Sequence, residues 1–140
     1  MKVLIVGHGA FPDGLASAMS VILGPQVGVS TLSLGAGEDL EGFSGRLREH
    51  MEMAQPHPTE PVIVLADLLG GTPANAALRV ASQMSGMHVL TGANLPLLLK
   101  LLDRGGQGEV DSGRLAAVLQ EGRNGIVNAL ELLNQEVRHE

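Results

Sequence analysis

The chain has 140 residues, 44% of them apolar and 17% charged, the length and balance of one globular domain rather than a disordered segment. It has no Cys, Trp or Tyr and only two Phe, so there is no disulfide framework or thiolate metal site, and Leu, Val, Ile, Ala and Met must build the core. A formal net charge of −6 argues against a nucleic-acid binder, which normally shows a basic face.

Met1-Lys2 is followed only by Val3, Leu4, Ile5 and Val6 before Gly7-His8-Gly9, which does not read as a secretory signal. No stretch reads as a membrane span. Together with the lack of Cys this suits a cytoplasmic protein.

The run Val3-Leu4-Ile5-Val6, closed by Gly7, has the pattern of a strand buried on both faces of a parallel sheet. Residues 13–23 carry Leu15, Ala18, Met19 and Ile22 at helical spacing, and Gly24-Pro25 ends that helix. Residues 27–34 alternate and predict a second strand, residues 35–39 a turn, and residues 40–53 a polar helix with Phe43, Leu47 and Met51. Residues 55–60, with Pro56 and Pro58, read as a loop.

Residues 61–66 are the clearest buried strand. They run into Asp67-Leu68-Leu69-Gly70-Gly71-Thr72-Pro73, where Thr72 is the expected N-cap and Pro73 the first position of a helix reaching about Ser85. Residues 88–90 predict a short strand, residues 92–94 a turn, and Leu95-Pro96 opens a leucine-rich helix to about Leu102. Residues 104–113 form a Gly-rich loop. Residues 114–137 favour helix, with Gly122 and Gly125 interrupting, and residues 126–130 fit either a final helix or an edge strand.

With no repeat and no linker, strands alternating with helices predict one α/β domain over residues 1–140. Its sheet is doubly wound and mainly parallel, with helices on both faces and an antiparallel C-terminal edge strand as one option.

In such a sheet, chemistry collects beyond the carboxyl ends of the strands. Three Gly-rich loops belong there: Gly7-His8-Gly9, residues 67–73 and Gly92-Ala93-Asn94. An imidazole such as that of His8 can act as a base, a metal ligand or a phosphoryl acceptor, or merely cap a turn. Asp67 ends the most apolar strand, where a carboxylate is costly without a partner. If the first and third strands are neighbours, Asp67 can bond one ring nitrogen of His8, fix its tautomer and leave the other nitrogen free to attack. The turn at Gly70-Gly71-Thr72-Pro73 offers free N–H groups and a helix dipole to an anion, and the Thr72 hydroxyl can donate to a phosphate oxygen. His8 and Asp67 are therefore the candidate catalytic pair, with Gly9, Gly70, Gly71 and Thr72 as candidate phosphate-binding residues. These loops lack Lys and Arg, and there is neither a Walker A sequence nor GxGxxG, so a nucleotide site is disfavoured. His50, His57, His88 and His139 are weaker candidates, and no pair has convincing metal-ligand spacing. No cofactor and no metal are expected.

These motifs resemble the EIIA component of the mannose-class sugar phosphotransferase system. The resemblance rests on Val3-Leu4-Ile5-Val6-Gly7-His8-Gly9, on Gly14-Leu15 with Ala18, on Asp67-Leu68-Leu69-Gly70-Gly71-Thr72-Pro73-Ala74-Asn75-Ala76-Ala77, and on Gly92-Ala93-Asn94-Leu95-Pro96. It covers about the first hundred residues; the C-terminal part matches only loosely. It implies phosphorylation of His8 on Nε2 with Asp67 on Nδ1, phosphoryl supply from the carrier HPr and delivery to an EIIB component. It also implies a homodimer, in some members with an exchanged C-terminal strand, and membrane contact only through other transporter components. No Ala/Pro-rich linker follows, so EIIB is expected as a separate chain. Where some members have an aromatic residue right after the His-Gly pair, this chain has Ala10 and then Phe11.

Three other readings compete. A dihydroxyacetone kinase phosphotransfer subunit is disfavoured because Gly7 and Gly9, rather than Ser, flank His8. A histidine phosphatase or mutase would need Arg where Gly7 stands. A non-catalytic regulatory module on the same fold remains a third possibility.

Overall fold

The computed structural model describes residues 1–54, 57 and 59–139. Of the predicted loop at 55–60, Gln55, Pro56 and Pro58 lie outside the described residues.

Four strands, β1 (Lys2–His8), β2 (Val29–Leu34), β3 (Val62–Ala66) and β4 (Met87–Thr91), form one parallel sheet in the order β2-β1-β3-β4. The helices are α1 (Phe11–Leu23), α2 (Leu40–Ala54), α3 (Thr72–Ala81), α4 (Leu95–Leu101), α5 (Ser112–Asn124) and α6 (Ala129–His139), with a 3₁₀ turn at Asp103–Gly106.

Alternation along the central strands divides the core in two. Val3, Ile5, Ile63 and Leu65 pack with Leu15 and Met19 of α1, Leu97, Leu98 and Leu101 of α4, and Val118 of α5. Leu4, Val6, Val62, Val64 and Ala66 face the other way, onto α2 and α3. Phe43, Leu47 and Met51 are fully buried there, as their helical spacing predicts. The expected parallel α/β sheet with helices on both faces is what the chain forms.

Several boundaries differ, each for a local reason. Helix α1 starts at Phe11 because Pro12 suits its first turn, and Ile22 on that helix is exposed rather than core. Strand β2 starts at Val29, whose N–H closes a turn on the Gln26 carbonyl and leaves Val27 wholly exposed. Gly71, not Thr72, is the N-cap of α3. The chain enters the helix one residue early, and Pro73 still falls in the first turn, where its missing N–H costs nothing.

Gly122 lies within α5 rather than breaking it, and Gly125 is the C-cap. Both let α5 approach α4 closely. A Cβ at Gly122 would lie 3.0 Å from Leu97 Cβ, and one at Gly125 would lie 2.5 Å from Pro96 Cγ.

The C-terminal option resolves as helix. Asn128 opens α6 by accepting from Glu131 N–H at 3.2 Å, and no strand follows β4 among the described residues. Ala129, Leu130, Glu131 and Leu132 are good helix formers, which explains the preference.

Candidate functional site

Register decides what meets at the carboxyl edge. Strands β1 and β3 are hydrogen-bonded neighbours, with Val6 opposite Ala66. Asp67 follows at once and its N–H bonds the Val6 carbonyl at 3.2 Å. This puts its carboxylate beside His8, the last residue of β1.

The contact is double. Asp67 Oδ2 lies 2.8 Å from His8 Nδ1 and also accepts the His8 backbone N–H at 2.9 Å. A carboxylate can only accept, so Nδ1 carries a proton, and in the neutral ring the second nitrogen, Nε2, keeps its lone pair. The His8 side chain is 49% exposed and that of Asp67 14%. Asp67 Oδ1 is buried without a partner among the described residues. The pair thus has a sheltered acceptor behind an accessible ring.

The loops around the ring are held by backbone. Gly9 takes φ +55° and donates its N–H to the Leu34 carbonyl of β2 at 3.1 Å. Beyond Leu34, Glu38 accepts from Gly35 N–H and Arg46. The hydrogen bond from Arg46 is the main reason the Glu38 carboxyl stays below the usual carboxylate range.

Gly70 takes φ +86°, and its carbonyl accepts from the Asn75 amide at 3.3 Å. Gly71 sits directly under the ring: a Cβ there would lie 2.9 Å from His8 Cε1 and 3.7 Å from Nε2. Its own N–H already donates to Leu68 O at 3.3 Å, so Gly71 offers the ring proximity rather than a free donor. Thr72 is the first residue of α3, half-buried, at the helix end where N–H groups lack intrahelical acceptors. That end and its dipole favour an anion beside Nε2.

His8, Asp67, Gly9, Gly70, Gly71 and Thr72 therefore come to one edge. The third expected loop also lies at this edge, where the Ala93 N–H bonds the Ala66 carbonyl at 3.0 Å, but its Asn94 side chain is taken up by structure. Asn94 caps α4 by accepting from Leu97 N–H at 2.9 Å and donates to the Gly122 carbonyl of α5 at 2.9 Å. His50 bonds the Ser30 hydroxyl at 3.0 Å, away from His8, and His88 lies in β4.

Two contributors escaped the sequence reading. Phe11 packs beside Gly7, where a Cβ would come within 3.2 Å of its ring, and Asn75 braces the Gly70 turn. Asn75 stood in a motif but had no role assigned; Phe11 gave only its position after the His loop.

A family model described as "PTS system fructose IIA component" matches residues 2–111. The chain is 30% identical over 102 residues to a "PTS system fructose-specific EIIA component" of Bacillus subtilis (strain 168), covering 73% of this chain and 68% of that protein. It is 27% identical over 126 residues to a "PTS system mannose-specific EIIAB component" of Escherichia coli (strain K12), covering 90% of this chain but only 38% of that longer protein. Among solved structures, "phosphotransferase system component EIIA from Streptococcus agalactiae" superposes with a TM-score of 0.78 at 32% identity, covering 93% of this chain and 98% of that one. A family match over most of the chain, on a fold shared with solved members, identifies the chain as belonging to the mannose-class EIIA family of the sugar phosphotransferase system, whose components are phosphotransferases.

Proposed function

We propose that this protein is a phosphohistidine carrier: His8 Nε2 accepts a phosphoryl group from the phosphohistidine of HPr and passes it to an EIIB component during sugar uptake. The observation that carries this reading is the 2.8 Å contact from His8 Nδ1 to Asp67 Oδ2 beneath a half-exposed ring. In the forward step the Nε2 lone pair forms the new P–N bond while the P–N bond of the donor imidazole breaks. The donor recovers its lone pair and leaves neutral. His8 becomes a phosphoimidazolium that keeps its Nδ1 proton, and the Asp67 carboxylate offsets the positive charge. Catalysis here is positioning and electrostatics, with the α3 N-terminus, Gly70 and the Thr72 hydroxyl around the phosphate and Gly9, its N–H held by the Leu34 carbonyl, shaping the loop beside it.

Docking is supported by apolar residues on the segments that follow His8 and Asp67: Phe11, Leu68 and Leu69 are all exposed. A transient partner covering them would exclude water from the reaction. A homodimer is supported by α6, where Leu130, Leu133 and Val137 are exposed at helical spacing. The carrier works in the cytoplasm, as an α/β domain needing neither metal nor cofactor.

The test is incubation with phosphoenolpyruvate, Enzyme I and HPr. Wild-type protein should take up acid-labile phosphate and His8→Ala should take up none. Undiminished labelling of that variant would sink the assignment.

A further inference from the structure

We infer that Gly71, backed by Gly7, is a positioning residue: its missing side chain makes the slot in which the His8 ring lies against Asp67 with Nε2 free. The inference rests on His8 being the phosphoryl acceptor.

The four glycines around the ring divide into two kinds. Gly9 and Gly70 have φ of +55° and +86°, and a Cβ on either would meet nothing within 4 Å, so backbone conformation requires them. Gly7 and Gly71 are the reverse. Gly7 lies in extended β1, and Gly71 has φ −77° and ψ 162°, which any residue adopts. Space is what they supply. A Cβ on Gly7 would lie 3.0 Å from both Cγ and Oδ2 of Asp67 and 3.2 Å from the Phe11 ring. A Cβ on Gly71 would lie 2.9 Å from His8 Cε1, closer than carbon atoms pack.

Position 71 is also an N-cap, where Ser, Thr, Asp or Asn would stabilise α3 by a side-chain bond that Gly cannot make. The helix forgoes that bond and the ring occupies the room. Because the clash would fall on the tip of a half-exposed side chain, the cheapest relief for an added methyl is rotation of His8. That rotation gives up the Asp67 contact and leaves the fold alone.

The experiment is Gly71→Ala in ¹⁵N-labelled protein, read by long-range ¹H–¹⁵N spectra at a pH where the ring is neutral. Wild type should show His8 as the Nδ1–H form. The variant should show a mixed tautomer, accept phosphate from phospho-HPr at least tenfold more slowly, and melt no lower than wild type. A wild-type tautomer or a wild-type rate in Gly71→Ala overturns the inference. The same substitution in a His8→Ala background removes the clash, so there it should leave the melting temperature unchanged or raised. A fall there means that the methyl strains something else, and also overturns it. A Gly71→Ala variant that folds only without His8 means that the ring does not rotate out of the way, and overturns it too. If wild-type His8 takes no label from phospho-HPr, the carrier reading fails on its own, whatever the tautomer spectra show.

Discussion

One oxygen of Asp67 accepts both the ring and the backbone N–H of His8, while the other is buried without a partner among the described residues. That asymmetry makes Asn an informative replacement. In Asp67→Asn the amide oxygen can take over the two bonds, but the amide nitrogen must then occupy the buried position with no acceptor. Flipping the amide would instead set two donors against the donors of His8. Either way the negative charge opposite the imidazolium is lost. Asp67→Asn and Asp67→Ala should therefore both keep the far-ultraviolet circular dichroism of the wild type. The Ala variant should accept phosphate on the order of 10²-fold more slowly. Quenched-flow labelling from phospho-HPr measures this, and an unaltered rate in either variant removes Asp67 from the mechanism.

At the scale of elements, glycine has opposite effects in two helical settings. Gly45 is exposed within α2 and a Cβ there would meet nothing within 4 Å, so Gly45→Ala should stabilise by about 0.5–1 kcal/mol. Gly125 caps α5 against Pro96, and Gly125→Ala should cost about 1–3 kcal/mol through overpacking. Urea titration followed by circular dichroism distinguishes the two signs. The contrast also shows why some elements were legible and others not. Strands β1 and β3 and helix α2 were readable because burial on two faces or one stripe leaves a local pattern. Gly122 and Gly125 read as interruptions because their reason lies in Leu97 and Pro96, which only the packing of α4 on α5 brings near. Thr72 and Gly71 both precede Pro73, and local chemistry favours Thr as the cap. The His8 ring over Gly71 is a contact between residues far apart in sequence. The pairing of His8 with Asp67 was legible only on condition that β1 and β3 are neighbours, since strand order is not written in any single segment.

Across the whole molecule, the sheet both separates and joins the two halves of the core. Val118 of α5 and Val80 of α3 are buried on opposite faces, in clusters that share no residue. Yet β1 and β3 contribute alternate side chains to both clusters, so neither layer can melt without exposing the back of the other. Val118→Ala and Val80→Ala each delete two methyl-sized groups, a loss of about 1.6 kcal/mol before any cavity term. Against a total stability of about 5–15 kcal/mol, the double variant should remain folded. Sites with no shared partners usually add within about 0.5 kcal/mol, so the double should lose the sum of the singles in one cooperative transition. With no Trp or Tyr in the chain, the transition is best followed by circular dichroism and by methyl resonances from each face. Coincident midpoints on both faces are the expected result. If the α2–α3 face loses its methyl dispersion at lower urea than the α1–α4–α5 face, the central strands do not couple the layers. The His8–Asp67 pair, set on those two strands, would then sit on the boundary between two separately melting units.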